Sequence, residues 1–294
     1  MKGFLVILTF VICGSTMYSQ ETRLLRQPNI SDSQVVFAYG SDIWVADRTG
    51  GNAMRITSTP AVEKDPYFSP DGKWIAFTSN RKGADAVYLV PSTGGDAKQL
   101  TWHPSSSRVR GWTNDGGQVL FASNRESAPT NFDRLWTVSI KGGPAKLLSN
   151  QWATSGSYAS NGNKMVIDRM RRWDVEWRAY RGGQNTPLII LNLEKQKEVL
   201  LPNEKTTDVQ PIWLGDKIYF ISDRDFTMNI WSFDPKSEAI EQVTKFEGSD
   251  IKSLHGRNGV LVFESEGFIH ELNLDSGNIS KISIKVIGDF PWAN

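Results

Sequence analysis

Three histidines, His103, His255 and His270, are the only imidazoles in the chain, and Cys13 is its only thiol. A serine or cysteine hydrolase needs a nucleophile, a base that shares its proton and usually a third group that orients the base. His103 stands in TWHPS, a loop pattern, and His255 precedes Gly256 in a hairpin pattern. His270 takes a strand position that Trp44, Tyr88, Trp136 and Trp231 fill elsewhere. All three read as loop or core histidines, and no Gly-x-Ser-x-Gly elbow accompanies them. His-Glu-x-x-His, a phosphate-cradling Gly-x-x-x-x-Gly-Lys and a regular calcium loop are absent too. No catalytic residue, metal site or cofactor is therefore expected.

The most distinctive chemical patch is DRMRRWDVEWRAYRGG, Asp168 to Gly183. It places Arg171, Arg172, Arg178 and Arg181 among Trp173, Trp177 and Tyr180. Guanidinium forks over aromatic faces can hold carboxylates, including the C-terminus of a peptide. These seven residues are the candidate channel or interface site, lining a channel mouth or docking another domain. A structural role stays open beside it, with Asp168, Asp174 and Glu176 pairing with the arginines while the aromatics pack an edge of the fold.

What positions such a patch is a repeat. FSPDGKWIAFTSNRKG, Phe68 to Gly83, alternates apolar and polar residues on either side of an Asp-Gly turn, and the pattern recurs six times. Second strands read VVFAY, IAFTS, VLFAS, MVIDR, IYFIS and LVFES, with anchors at Phe37, Phe77, Phe121, Ile167, Phe220 and Phe263. Those anchors are 40, 44, 46, 53 and 43 residues apart. Third strands follow as DIWVAD, AVYLVP, RLWTVS, PLIILN, NIWSFD and FIHELN, and a turn, often Gly-Gly, leads to a fourth. Asp71-Gly72, Asp115-Gly116, Asn161-Gly162 and Asn258-Gly259 sit at matching places, where two-residue hairpins with positive φ are expected. Four short strands per unit predict an all-β, six-bladed β-propeller of four-stranded antiparallel blades, in which neighbours cover both apolar faces of each sheet. A sandwich or a solenoid is the alternative, but a solenoid needs atypical polar caps, and the terminal units keep the pattern. The blades are expected near 24–60, 61–104, 105–150, 151–205, 206–247 and 248–290, within one domain from 20 to 294.

With 294 residues and 39 % apolar content, the chain can bury one large core or two ordinary ones. Thirty-three Lys and Arg against 32 Asp and Glu give no bulk charge with which to hold nucleic acid or an anionic membrane. The opening MKGFLVILTFVICGSTMYSQ has Lys2, then an apolar run from Phe4 to Cys13, about half of the roughly 20 residues that span a bilayer. It reads as a signal peptide over residues 1–19, which implies an exported, periplasmic or secreted protein with no membrane attachment after cleavage. Ile12 before Cys13 disfavours a lipoprotein, and a buried N-terminal strand or helix is the weaker alternative. Cleavage would remove the one cysteine, leaving stability to packing and strand pairing.

PYFSPDGKWIAFTSNRKG with STGGDAKQLTW resembles the WD40-like repeat of TolB-type and tricorn-type propellers. LLRQPNISDSQVVFAYGSDIWVADRTGGNAMRIT, EWRAYRGG and QPIWLGDKIYFISDRD, in this order, resemble the N-terminal propeller of the tricorn protease family from about residue 24 onwards. PLIILNLE departs from the family's usual Asp-Ile-Trp strand. The resemblance implies part of a serine peptidase that trims oligopeptides, with a second propeller, a PDZ domain and a catalytic core beyond VIGDFPWAN, and hence a chain cut short of its chemistry. It also implies peptides or those further domains as partners, and a homo-oligomer of the full-length protein. The family's best-known architecture is cytoplasmic, in tension with the leader. A stand-alone exported TolB-like propeller that scaffolds another protein is the alternative.

Overall fold

The computed structural model of the protein describes residues 21–170, 180–183 and 185–288. The predicted leader, residues 1–19, lies outside them. Strands account for the architecture, and the described residues contain no α-helix.

Six sheets follow one another along the chain. Blade 1 holds β1 (Arg26–Ile30), β2 (Gln34–Tyr39), β3 (Asp42–Asp47) and β4 (Gly51–Arg55). Blade 2 holds β5 (Glu63–Phe68), β6 (Trp74–Ser79), β7 (Ala86–Pro91) and β8 (Lys98–Gln99), and blade 3 holds β9 (Ser107–Trp112), β10 (Gln118–Ser123), β11 (Arg134–Ser139) and β12 (Lys146–Trp152). Blade 4 comprises β13 (Ser155–Tyr158), β14 (Lys164–Asp168), β15 (Ile189–Asn192) and β16 (Lys197–Leu200). Blade 5 comprises β17 (Asp208–Leu214), β18 (Lys217–Ser222), β19 (Asn229–Phe233) and β20 (Ile240–Gln242). Blade 6 comprises β21 (Ser253–Arg257), β22 (Val260–Ser265), β23 (Phe268–Asn273) and β24 (Ile279–Lys281). The fold is thus the all-β six-bladed propeller with antiparallel blades. β12 runs to Trp152, past the expected boundary at residue 150, because Arg134 pairs with Trp152 beyond a register shift.

Side chains alternate across a strand, so each blade feeds two seams. Val36 and Ala38 pack with Ile75 and Phe77 between blades 1 and 2, while Val35 and Phe37 on the same strand pack with Val262 and Ile269 of blade 6. Corresponding apolar clusters fill the other four seams. The apolar content of both faces of VVFA or IAF follows from this sharing.

The hairpin turns between first and second strands differ among the blades. Asn258 and Gly259 both have positive φ, 47° and 76°, between the paired Arg257 and Val260, which is the expected two-residue turn. At Asp71-Gly72 only the glycine is left-handed, and the turn is longer than expected: Ser69 N–H bonds Trp74 O at 2.8 Å. The Asp71 carboxylate shapes it by accepting from Ser69 Oγ at 2.6 Å and Lys73 N at 3.1 Å, and Asp115 does the same with Thr113 and Gly117.

The ring closes by a device that the repeats do not announce. β25 (Ile284–Val286) lies parallel to β4 as a fifth strand on the outer edge of blade 1. Glu21 and Thr22 do not supply a blade strand; they brace β25 instead, with Thr22 N donating to Ile284 O and Val286 N donating to Thr22 Oγ1. Glu21 also pairs with Lys281 and accepts from Ser283.

Candidate functional site

β1, β5, β9, β13, β17 and β21 line the propeller axis, and a cavity of about 190 Å³ lies among them. Its walls include Gln27, Asp65, Tyr67, Arg110, Gln210 and His255, one or more from five of the six blades, with Thr154, Ser155 and Asp168 from blade 4.

The inner strands aim these side chains inward through a recurring irregularity. Gln27-Pro28, Asp65-Pro66 and Gln210-Pro211 are polar-Pro pairs in which the polar residue has φ of 52°, 51° and 52°. Each coincides with a register shift against the second strand, as an inserted residue produces. Proline has no N–H to lose from the ladder and tolerates the break. In blade 3, Arg110 is the inserted residue, and Gly111 beside it takes φ of 144°.

Once aimed inward, the polar groups bind blade to blade. Gln27 and Asp65 join blades 1 and 2 reciprocally, Nε2 to Oδ1 at 3.1 Å and Asp65 N to Oε1 at 2.9 Å. Blades 2 and 3 meet through Asp65 and Arg110, 3.0 Å apart, and through Thr78, which donates to Asp65 at 2.9 Å and accepts from Val109 N at 2.9 Å. Arg110 Nε donates to Thr154 O at 2.9 Å, reaching blade 4. Asp168 accepts from Gln210 N at 3.1 Å, linking blades 4 and 5. The Gln210 side chain then bonds Lys252 O and Leu254 N, both at 3.1 Å, and Arg26 meets Glu264 at 2.8 Å across the last seam. The result is a closed belt around the axis.

Two titratable groups in the channel are displaced in a way that favours neutrality. Burial, at 3 % exposure, pushes the Asp168 carboxyl up to about 6 despite hydrogen bonds from Met170 and Gln210 N–H groups. Burial and then the Arg110 charge push His255 down to about 4. Its ring meets Tyr67 edge to face at 4.7 Å, and burial raises the Tyr67 phenol.

The sequence signals fall at different places. His255 lies in β21, the first strand of the β21–β22 hairpin, on the channel wall. His270 stacks on Phe263 at 5.5 Å, opposite it in the ladder as Trp44 is opposite Phe37. His103 is exposed, with Nδ1 accepting from Ser105 N at 3.0 Å. Arg171, Arg172, Trp173, Trp177 and Arg178 lie outside the described residues, as do Asp174 and Glu176. Asp168 forms no ion pair with an arginine among the described residues; it caps the start of the insertion through Met170 N at 2.6 Å. At the insertion's other end Arg181 pairs with Asp223 of blade 5 at 2.9 Å and lies 5.6 Å from the Phe226 ring, and Tyr180 is exposed. No catalytic or binding motif marks Asp65, Arg110, Gln27 or Gln210 in the sequence; the repeated polar-Pro pair is the signal for three of them, and Arg110 precedes a glycine instead.

One end of the propeller carries the connections between blades and the loops between second and third strands. Leu24, Val62, Trp102, Trp152, Tyr180 and Phe226, all exposed large apolar residues, sit in or at the edge of those connections and loops. Cations accompany several of them, with Lys82 Nζ 4.8 Å from the Trp102 ring and Arg169 Nε bonded to Trp152 O at 3.2 Å.

Comparison with known proteins matches this architecture. The family model described as "Tricorn protease N-terminal beta propeller domain" matches residues 22–278. Tricorn protease homolog 1 of Streptomyces coelicolor is 30 % identical over 267 residues, 90 % of this chain and 25 % of that protein. A crystal structure of the tricorn protease superposes with a TM-score of 0.81 at 24 % identity, covering 91 % of this chain and 27 % of that one. The putative TolB of Agrobacterium tumefaciens shares the fold, with a TM-score of 0.65 at 16 % identity over 78 % of this chain and 83 % of that one. The chain thus spans about a quarter of the length of the tricorn relatives it matches. With the family model covering nearly all of the described propeller, the chain belongs to the tricorn protease N-terminal β-propeller family.

Proposed function

We propose that the chain is a non-catalytic propeller portion of a tricorn-like serine peptidase, serving the proteolysis of oligopeptides by docking other parts of such a protein. The observation that carries this reading is the gathering of six exposed large apolar side chains at one end of the ring. Exposed apolar side chains at one end offer surface that another domain can cover. A peptide filter along the axis is the second form of the same reading, favoured by the Tyr67, His255 and Arg110 side chains on the channel wall. A cavity of about 190 Å³ lies below the roughly 300 Å³ at which small-molecule sites begin, so passage of a peptide would require the belt to part. Export through residues 1–19 belongs to the proposal, and N-terminal sequencing of the secreted protein tests it.

Hydrogen exchange separates docking from an isolated scaffold. In a continuous tricorn-like chain, amides around Trp102 and Phe226 are expected to exchange more slowly than in residues 20–294 alone. Equal exchange in both contradicts docking at this end. A reading frame that continues past Asn294 into sequence like the rest of the relatives fits the peptidase reading. A stop codon there favours a stand-alone TolB-like scaffold, the reading that the TolB fold likeness supports.

A further inference from the structure

Three blades carry the same short run after their second strand: Ser79-Asn80-Arg81, Ser123-Asn124-Arg125 and Ser222-Asp223-Arg224. In each, the guanidinium lies against one aromatic ring from the second strand and one from the third. Arg81 is 5.5 Å from Phe77 and 4.5 Å from Tyr88, Arg125 is 4.9 Å from Phe121 and 5.3 Å from Trp136, and Arg224 is 5.7 Å from Phe220 and 6.0 Å from Trp231. In blades 2 and 5 the first residue of the inner strand supplies the counter-charge: Arg81 pairs with Glu63, and Arg224 with Asp208 at 2.8 Å.

Blade 3 breaks the pattern, because Ser107 stands at that position. Arg125 is 6 % exposed, and its Nη2 and Nε donate to the hydroxyls of Ser107 at 2.7 Å and Ser123 at 3.2 Å. It makes no ion pair among the described residues. Asp133 is taken by Arg108 at 2.7 Å, as Asp85 is by Lys64 at 3.1 Å in blade 2, so blade 3 repeats one ion pair of the blade and lacks the other. Glu126 attracts Arg125 from the exposed loop, and burial still pushes the guanidinium's pKa below its ordinary value. A buried charge that meets hydroxyls but no opposite charge is costly. Unsatisfied donors gather nearby: Arg134, 5.7 Å from the Trp136 ring, has a buried Nε without a partner, and so does the Trp136 indole. The Trp231 indole and Arg224 Nε in blade 5 share that feature, so the missing carboxylate is what distinguishes blade 3.

We propose that blade 3 binds a small monovalent anion, a halide or a formate-sized carboxylate, beside Arg125 and Ser107, supplying the counter-charge that Glu63 and Asp208 give from within the chain in blades 2 and 5. The Ser107 hydroxyl accepts from Arg125 and can turn its proton from Ser105 O, 3.5 Å away, towards the anion. A ligand that binds the folded chain alone raises its stability with concentration.

Thermal unfolding of the chain at constant ionic strength tests this, with sodium gluconate, whose anion is far bulkier than the proposed ligands, replaced stepwise by chloride, bromide or formate. A saturable rise of several degrees in the midpoint is expected, and the anion with the lowest half-saturation identifies the source. Ser107→Glu should make the midpoint independent of the salt, and Arg125→Gln should abolish the response. Identical midpoints in all four salts, or a response that survives in Arg125→Gln, overturns the proposal. Should the variants fail to fold, bromide-soaked crystals of the unaltered chain decide: an anomalous peak beside Arg125 supports the site, and its absence at saturating bromide removes it.

Discussion

His255 and Asp168 face the same channel, and their effects on stability oppose one another as pH falls. The folded state holds His255 neutral down to about 4, whereas the unfolded chain takes up the proton near 6.5, so stability is lost through that window on acidification. Asp168 binds its proton near 6 when folded and near 3.8 when unfolded, so it adds stability over 6 to 3.8 as pH falls. Between pH 7 and 5 each contributes on the order of 1–2 kcal/mol, with opposite sign. Denaturant midpoints should show Asp168→Asn losing more stability than the unaltered chain on going from pH 7 to 5, and His255→Gln losing less; parallel pH profiles contradict this. Asp65→Ala removes the acceptor shared by Gln27, Thr78 and Arg110. It should cost about 3 kcal/mol in urea unfolding, since Arg110, whose side chain is 17 % exposed, is left part-buried without its counter-charge. A loss below about 1 kcal/mol, the value of a surface pair, denies the belt its structural role. At this scale little is legible in the sequence: the histidines and the arginine-rich insertion stand out by residue type, while the belt residues are ordinary polar types whose role depends on inward rotation at a bulge.

At the level of elements, the repeated second and third strands were readable because apolar alternation and the Asp-Gly or Asn-Gly turns recur in phase. β25 was not, since three residues that pair parallel with a strand more than 200 positions away leave no local periodicity. Its contact with β4 predicts a sharp sequence requirement. Gly50 has φ of 91°, and a Cβ there would lie 2.6 Å from Ser283 O, whose carbonyl also accepts from Gly51 N. Gly50→Ala combines a left-handed backbone with a steric clash, so it should cost roughly 1–3 kcal/mol and speed hydrogen exchange in Ile284–Val286. Gly94 occupies the corresponding turn of blade 2 at φ of 89° with open space around it, and Gly94→Ala should leave exchange at β25 unchanged. Equal acceleration by the two variants would show that the seam does not depend on this approach.

For the whole molecule, six blades share six apolar seams and one polar belt, and the ring is the unit of stability. The repeat spacing made that legible, because a four-stranded sheet with two apolar faces has to be covered on both sides. The contents of the channel were not legible, since they arise where six separate inner strands converge. Among the described residues His103 is at the surface, His270 is stacked in a seam, and His255 lies on the channel wall against Tyr67. The most direct test of a non-catalytic propeller is peptidase activity of purified residues 20–294 on fluorogenic peptides, with and without a serine-directed inhibitor. No turnover above buffer is expected, and inhibitor-sensitive turnover that copurifies with the chain would contradict it.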